Sequence, residues 1–228
     1  IDAFKIKFQE QGILLELFQI SKSVGLARAL NYGLKKIDTK YVARMDSDDF
    51  SYSNRLEVEM RYLDEHKNIS LVGTNIGEFE SNPEKIESIK KMPANFQQIK
   101  KYSKLRNPFC HPTVVFKRDV IMSVGCYENF KYFEDYHLWM KVLNAGFYCA
   151  NITTPLVNMR VGDGLFNRRG GIRYFIQMYN FRRNLLKKKY ITIIEFTVTV
   201  LASGIPVLLP TKIRKSIYMI FLRKKRIK

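Results

Sequence analysis

Two acidic clusters in this sequence have the residue types and spacing to do chemistry. The first, Asp46-Ser47-Asp48-Asp49, directly follows the apolar run Lys40–Met45 (KYVARM). Residues 46 and 48 of an extended segment point the same way. Two carboxylates converging at a strand end repel each other unless a cation lies between them. Hard divalent ions such as Mg²⁺ or Mn²⁺ favour a few carboxylates combined with phosphate oxygens. Ligands of open α/β sheets also bind beyond the carboxyl ends of strands. The competing reading is a turn in which Asp48, Asp49 and Ser51 cap the next helix, and D-x-D alone does not separate the two. The second cluster is Glu134-Asp135, at the start of a helix running to Ala145. Acids in a first turn complement the helix dipole. A carboxylate at a helix start that projects into a cleft can equally accept a proton from a hydroxyl group.

The elements that must position these clusters are legible from periodicity. Helices are predicted over Val24–Ile37, with Leu26, Leu30, Leu34 and Ile37 on one face, and over Asn54–His66, capped by Ser51 or Ser53. Shorter ones follow over Asp119–Val124, ending at Gly125, and Phe133–Ala145, closed by Gly146. Strands are predicted over Lys40–Met45, Ile69–Thr74 continuing toward Phe79, Pro112–Phe116, Phe147–Ile152 and Leu156–Arg160, with Ser81–Met92 as a loop. Alternating strands and helices predict an α/β domain with a mostly parallel sheet. Beyond Arg160 come a Gly/Arg loop, Val161–Gly171, a basic helix, Ile172–Lys189, an apolar stretch, Ile191–Leu209, and an amphipathic helix, Thr211–Arg223.

Charge divides the chain in the same place. The formal net charge is +18. From Arg160 to Lys228 there are 17 Lys/Arg against two acids, Asp163 and Glu195, whereas the preceding 159 residues hold 22 bases and 19 acids. A nearly neutral body therefore carries a strongly basic tail. The three cysteines, Cys110, Cys126 and Cys149, lack any C-x-x-C spacing, which argues against a disulfide framework or a zinc site and for a reducing compartment. His111 is read as a hydrogen-bonded structural histidine or a wall of a binding site. Trp139 is read as a core residue or a stacking platform for a ligand ring.

The segments SVGLARALNYGL (23–34), YVARMDSDD (41–49), RLEVEMRYLDEHKNISLVG (55–73), HPTVVF (111–116), VGCY (124–127) and FEDYHLW (133–139) occur in the order seen in glycosyltransferase family 2, which this chain resembles over almost its whole length. The nearest look is to transferases of capsule, exopolysaccharide and O-antigen assembly, including the amylovoran type. The resemblance implies a GT-A fold and inverting transfer of a sugar from a nucleotide-sugar donor, by family habit a UDP-sugar, with Mg²⁺ or Mn²⁺. It places Asp48 as metal ligand and Asp46 on the metal or the ribose. Asp135 falls on the catalytic base, with Glu134 beside it on the acceptor or the loop. Arg44 and Asn31 fall near the nucleotide, and Arg160, Arg168 and Arg169 near its diphosphate, whose leaving-group charge needs compensation. Family members begin with two further strands, a P-x-Y-N-like segment and an acidic turn. Neither is present, so the resemblance implies an N-terminally incomplete GT-A domain over residues 1–165, followed by a basic helical tail over 166–228.

The tail's Lys/Arg beside an apolar stripe predict binding to an anionic membrane surface, at about 1 kcal/mol per nearby base. Glu195, Gly204 and Pro206 inside the apolar stretch point to an interfacial or re-entrant helix over a spanning one. No recognised nucleic-acid module is present, so no nucleic-acid partner is expected. The expectation is an enzyme on the inner, cytoplasmic face of the cell membrane, with a saccharide or lipid-linked acceptor. The alternatives are an inactive membrane-binding remnant and a basic nucleic-acid-binding protein.

Overall fold

A computed structural model of the chain describes residues 2–161, 170–209 and 224–225. Its elements in order are α1 (Asp2–Glu10), α2 (Leu26–Lys36), β1 (Tyr41–Ala43), β2 (Phe50–Ser51), α3 (Arg55–Glu65), β3 (Ile69–Phe79), β4 (Ser88–Lys90) and α4 (Phe96–Ser103). A short 3-10 turn (His111–Thr113) leads into β5 (Val115–Lys117). Then come α5 (Arg118–Ser123), α6 (Glu134–Asn144), β6 (Tyr148–Arg160), α7 (Gly171–Lys187), α8 (Ile193–Leu208) and β7 (Lys224–Lys225). The predicted helix Thr211–Arg223 and most of the Gly/Arg loop, residues 162–169, lie outside the described residues.

β3 is the centre of the sheet and is buried along its whole length. β6 runs parallel to it from Ile69↔Tyr148 to Phe79↔Arg160. β5 pairs antiparallel with the first half of β3 and β4 with the second. β1 pairs antiparallel with β5, and β2 antiparallel with the end of β6. The α/β class is as expected, but the direction of pairing is a correction: among the described strands only β3 and β6 are parallel. The alternation of elements suggested crossovers. Instead, a turn closed by the Asn82 carbonyl, accepting from Lys85 N–H, returns the chain as a hairpin inside what reads as a loop.

The two short strands expected at the end of the domain are one bent strand, β6, with register shifts opposite Thr74 and Asn75. A bulged strand bends and turns its side chains, which is how Pro155 sits inside a strand. Ser51 and Ser53 do not cap α3; Asn54 takes the cap position, without a side-chain hydrogen bond. In α2 the inward face is Ala27, Leu30 and Leu34, while Leu26 is exposed. The main core gathers Leu34, Leu71, Phe109, Phe116, Leu138 and Trp139 between the sheet and α2, α5 and α6. Trp139 is fully buried, in edge contact with Phe109 and His111, which settles it as core and not a sugar platform.

The basic helix α7 and the apolar helix α8 are docked on this body. Phe181 and Leu185 of α7 pack with Tyr136 and Met140 of α6. Arg182 donates to the carbonyls of Lys104 (3.0 Å) and Leu105 (2.6 Å). α8 opens with a capping box between Thr192 and Glu195, and Glu195 also pairs with Lys104 at 2.8 Å. The acid that breaks the apolar pattern of this stretch therefore fixes the helix start and ties it to α4. Among the described residues no helix is long and apolar enough to cross a membrane.

Candidate active site

The first acidic cluster lies where β1 gives way to β2. Arg44 N–H still bonds the Val114 carbonyl at 3.0 Å, and the chain then leaves the sheet through the turn 46–49. β2 pairs with Val157 and Asn158, so the turn is held against the end of β6, beside Arg160. Carboxylate oxygens of Asp46, Asp48 and Asp49 lie within 4.8 Å of one another. Asp46 is gripped by both terminal nitrogens of the Arg44 guanidinium, one at 2.6 Å. Beneath it, buried Arg55 donates to the Arg44 carbonyl at 2.9 Å and to Glu59 at 3.0 Å, fixing the backbone that carries the cluster. Asp49 Oδ1 accepts the Arg160 backbone N–H at 2.9 Å, while its Oδ2 is buried with no partner among the described residues. Burial pushes the Asp49 carboxyl up to about 6, with Asp46 and Asp48 adding to the rise and the Arg160 N–H opposing it. An orphaned buried carboxylate oxygen in a group of three acids fits a hard divalent cation, which would supply its missing contact.

Asp49 is the residue that sequence reasoning undervalued. It is the third acid of the run, a helix cap only in the competing turn reading, and the cap position of α3 falls on Asn54. Arg160 reaches the same turn from the end of β6: its Nε donates to the Asp48 carbonyl at 3.3 Å and its guanidinium lies 4.8 Å from the Phe79 ring centre. Arg168 and Arg169 lie outside the described residues.

The second cluster divides as its geometry dictates. Asp135 is half-buried, and its two oxygens are held by Asn107 Nδ2–H (2.6 Å) and the Tyr136 backbone N–H (2.7 Å). It lines a cleft of about 230 Å³ with Lys90, Arg106, Asn107, Tyr132 and Arg182, walled by Met178 of α7 and Val207 of α8. Glu134 points elsewhere: it is buried, does not line that cleft, and burial raises its carboxyl above the usual range. Asn107 has no signal in the sequence, because the chain between Ser103 and His111 shows no periodicity that would place it.

Behind Asp135 lies a neutral hydrogen-bonded pair. His111 Nε2 and the Tyr127 hydroxyl are 2.9 Å apart, and burial pushes His111 down to about 4 despite the opposing field of Asp135. Asn31 belongs to this layer. Its amide donates to the Tyr127 carbonyl at 2.8 Å and its oxygen accepts the Tyr127 N–H at 2.9 Å, so its side chain is committed to holding Tyr127.

This combination is that of a sugar-transferring enzyme: an α/β body, a strand-end carboxylate trio beside arginines, and a single carboxylate in a separate cleft. The glycosyl transferase family 2 model matches residues 6–125. The chain is 38% identical over 207 residues to UDP-Gal:alpha-D-GlcNAc-diphosphoundecaprenol beta-1,3-galactosyltransferase of Escherichia coli, covering 91% of this chain and 75% of that protein. It is 32% identical to the amylovoran biosynthesis glycosyltransferase AmsE of Erwinia amylovora, covering 90% and 76%. It therefore belongs to glycosyltransferase family 2. Among solved structures it is similar in fold to S. aureus TarS residues 1–349 in complex with UDP-GlcNAc (TM-score 0.57, 16% identity, 82% of this chain and 54% of that one). A second is the mannosyltransferase PcManGT from Pyrobaculum calidifontis in complex with GDP-Man and Mn²⁺ (TM-score 0.58, 14% identity, 96% and 61%).

Proposed function

We propose that this glycosyltransferase moves a sugar from a UDP-sugar, with inversion, onto a lipid-linked saccharide at the cytoplasmic membrane face, in the assembly of a surface polysaccharide. The observation that carries this reading is the separation of two carboxylate sites. The trio at 46–49 suits a metal-bound diphosphate, and Asp135 stands alone in an open cleft that can admit an acceptor. The bacterial relatives add support, one of them named for transfer to a diphosphoundecaprenol-linked sugar and another for amylovoran biosynthesis.

In the reaction, Asp135 takes the proton of the acceptor hydroxyl as that oxygen bonds to the anomeric carbon. The bond from that carbon to the diphosphate breaks on the opposite face, and its electron pair leaves with the nucleotide. Asp48, with Asp46 and Asp49, would hold Mg²⁺ or Mn²⁺, which supplies positive charge to the diphosphate. Arg44 holds Asp46 in place through both terminal nitrogens of its guanidinium. Arg160, with Arg168 and Arg169 on the segment that follows, offers further compensation for the leaving group. Glu134 and Asn31 support the loop and the Tyr127 layer behind the base.

The basic C-terminal region, residues 166–228, is assigned as the membrane-binding part and residues 1–165 as the catalytic part. Support comes from α8, where Ile194, Val198, Leu201, Ile205 and Leu208 form one exposed apolar stripe, and from the tail's excess of Lys/Arg.

Calorimetry with UDP tests the donor half of this reading in the full-length protein. Mn²⁺ or Mg²⁺ should tighten UDP binding, and Asp48→Ala should abolish the metal-dependent gain. Equal affinity with and without metal, or an unaffected variant, would contradict it.

A further inference from the structure

The cleft beside Asp135 has more positive charge than its own acids can balance. Lys90 at the end of β4, Arg106 after α4 and Arg182 of α7 all line it, and Asp135 is the one acid among its lining residues. The side chains of Lys90 and Arg106 have no ion pair or hydrogen bond among the described residues; Arg106 only lies over the Tyr102 ring, at 5.8 Å. Arg182 is 4% exposed, and its guanidinium is anchored to the Lys104 and Leu105 carbonyls and the Tyr136 hydroxyl, yet its Nε–H is buried without a partner among the described residues. Buried polar groups left unpaired are uncommon and call for a ligand, a water or an ion. Three cations around one cavity call for an anion in particular.

None of the acids of the 46–49 turn lines this cleft, so the cations here are distinct from the arginines at the donor trio. Position points the same way. Ser203 and Val207 of α8 face the cleft, whereas the exposed stripe of Ile194, Val198, Leu201, Ile205 and Leu208 lies on the opposite face of the same helix. If that stripe rests on a bilayer, the cation cluster is about one helix diameter, roughly 10 Å, from the surface. That is where the phosphates of a membrane-anchored molecule lie.

We propose that Lys90, Arg106 and Arg182 form a subsite for the diphosphate of a lipid-linked acceptor, with the saccharide between this diphosphate and the Asp135 carboxylate. Because both ends share one small cleft, the acceptor is a short saccharide, and the enzyme acts early in chain assembly, after a reaction that places a sugar on a lipid diphosphate. The inference rests on the transfer reaction proposed above and adds to it the group that the acceptor must carry.

The test compares two acceptors with the full-length protein: N-acetylglucosamine on a diphospho-polyprenol, and the same sugar on an uncharged alkyl glycoside. Wild type should prefer the diphosphate acceptor. In Arg106→Gln, and separately in Lys90→Gln, the ratio of kcat/KM for the diphosphate acceptor to that for the neutral one should fall by about tenfold or more, the usual effect of losing a bond to a charged group. The KM for the UDP-sugar should stay within about twofold. Inorganic pyrophosphate should compete with the acceptor in wild type and less so in Arg106→Gln. An unchanged ratio with normal transfer would overturn the subsite while leaving the transfer reaction standing. A raised donor KM would assign these cations to the nucleotide and also overturn it. Failure of wild type to glycosylate either acceptor, with any UDP-sugar it binds, would sink the transfer reaction and this subsite with it.

Discussion

Asp135 can act as a base only if its carboxylate is held while one lone pair stays available to an acceptor. The Tyr136 N–H fixes one oxygen from within its own helix start, and Asn107 fixes the other from outside. Asn107→Ala removes the outer support without touching the charge. It should lower kcat by roughly tenfold, the scale of one lost hydrogen bond to a charged group, and leave the KM of the donor unchanged. Steady-state kinetics on the full-length protein will show it. At this scale the sequence was informative where the chemistry is local. The D-S-D-D run stands out because like charges so close together need a reason. Asn107, Lys90 and Arg106 carry no such mark, since what gathers them is the return of β4 and the packing of α7, both long-range events. Asn31 shows the converse: its side chain is occupied by the Tyr127 backbone, which no local pattern reveals.

Among elements, β3 and β6 form the frame, and the acidic turn is positioned because β2 pairs with the end of β6. Periodicity located α2, α3, α5 and α6, since an inward stripe is a local property, but not α1 or α4. It did not give strand direction, because partners such as Val72 and Val115 are set by tertiary pairing. It also split β6 in two at Pro155, where a bulge carries the strand on. The junction between α7 and α8 depends on one small residue. A Cβ on Gly204 would come within 2.6 Å of Phe175 Cε2, so the helices meet there without room for a methyl group. Gly204→Ala should force that ring aside and cost about 1–3 kcal/mol despite the better helix propensity of alanine. Urea unfolding followed by circular dichroism checks this; a neutral or stabilising outcome would mean that the helices yield at little expense. Arg182 ties α7 to the end of α4 and lines the cleft, so a loosened pair should also raise the acceptor KM.

For the whole molecule, two buried histidines set the response to acid. Burial pushes His111 and His137 down to about 4, His137 with Glu128 opposing the fall. Below the ordinary histidine value of 6.5 the unfolded chain takes up protons that the folded one refuses. Stability should therefore fall between pH 6.5 and pH 4, by up to about 1.4 kcal/mol per pH unit for each histidine. Glu59 works in the opposite direction: burial raises it from 4.5 to about 7, so its contribution to stability is lost as pH rises through that window. Comparing the wild type with His111→Gln/His137→Gln isolates the histidine part, and denaturant midpoints of the double variant should decline less on acidification. The charge asymmetry, with a neutral body and a basic tail, is a property of the whole chain and could be read directly from composition. The meeting of that tail with the cleft beside Asp135 could not, since it depends on how α7 docks against α6. The account as a whole turns on Asp135 as proton acceptor. Asparagine at this position keeps the shape and an oxygen for the Tyr136 N–H but cannot take the proton. With the full-length protein, a UDP-sugar and a diphospholipid acceptor, Asp135→Asn should lower kcat by about 10²–10⁴-fold while UDP and metal affinity stay within a few-fold. Turnover within a few-fold of wild type would show that Asp135 merely supports its helix, and would contradict the mechanism.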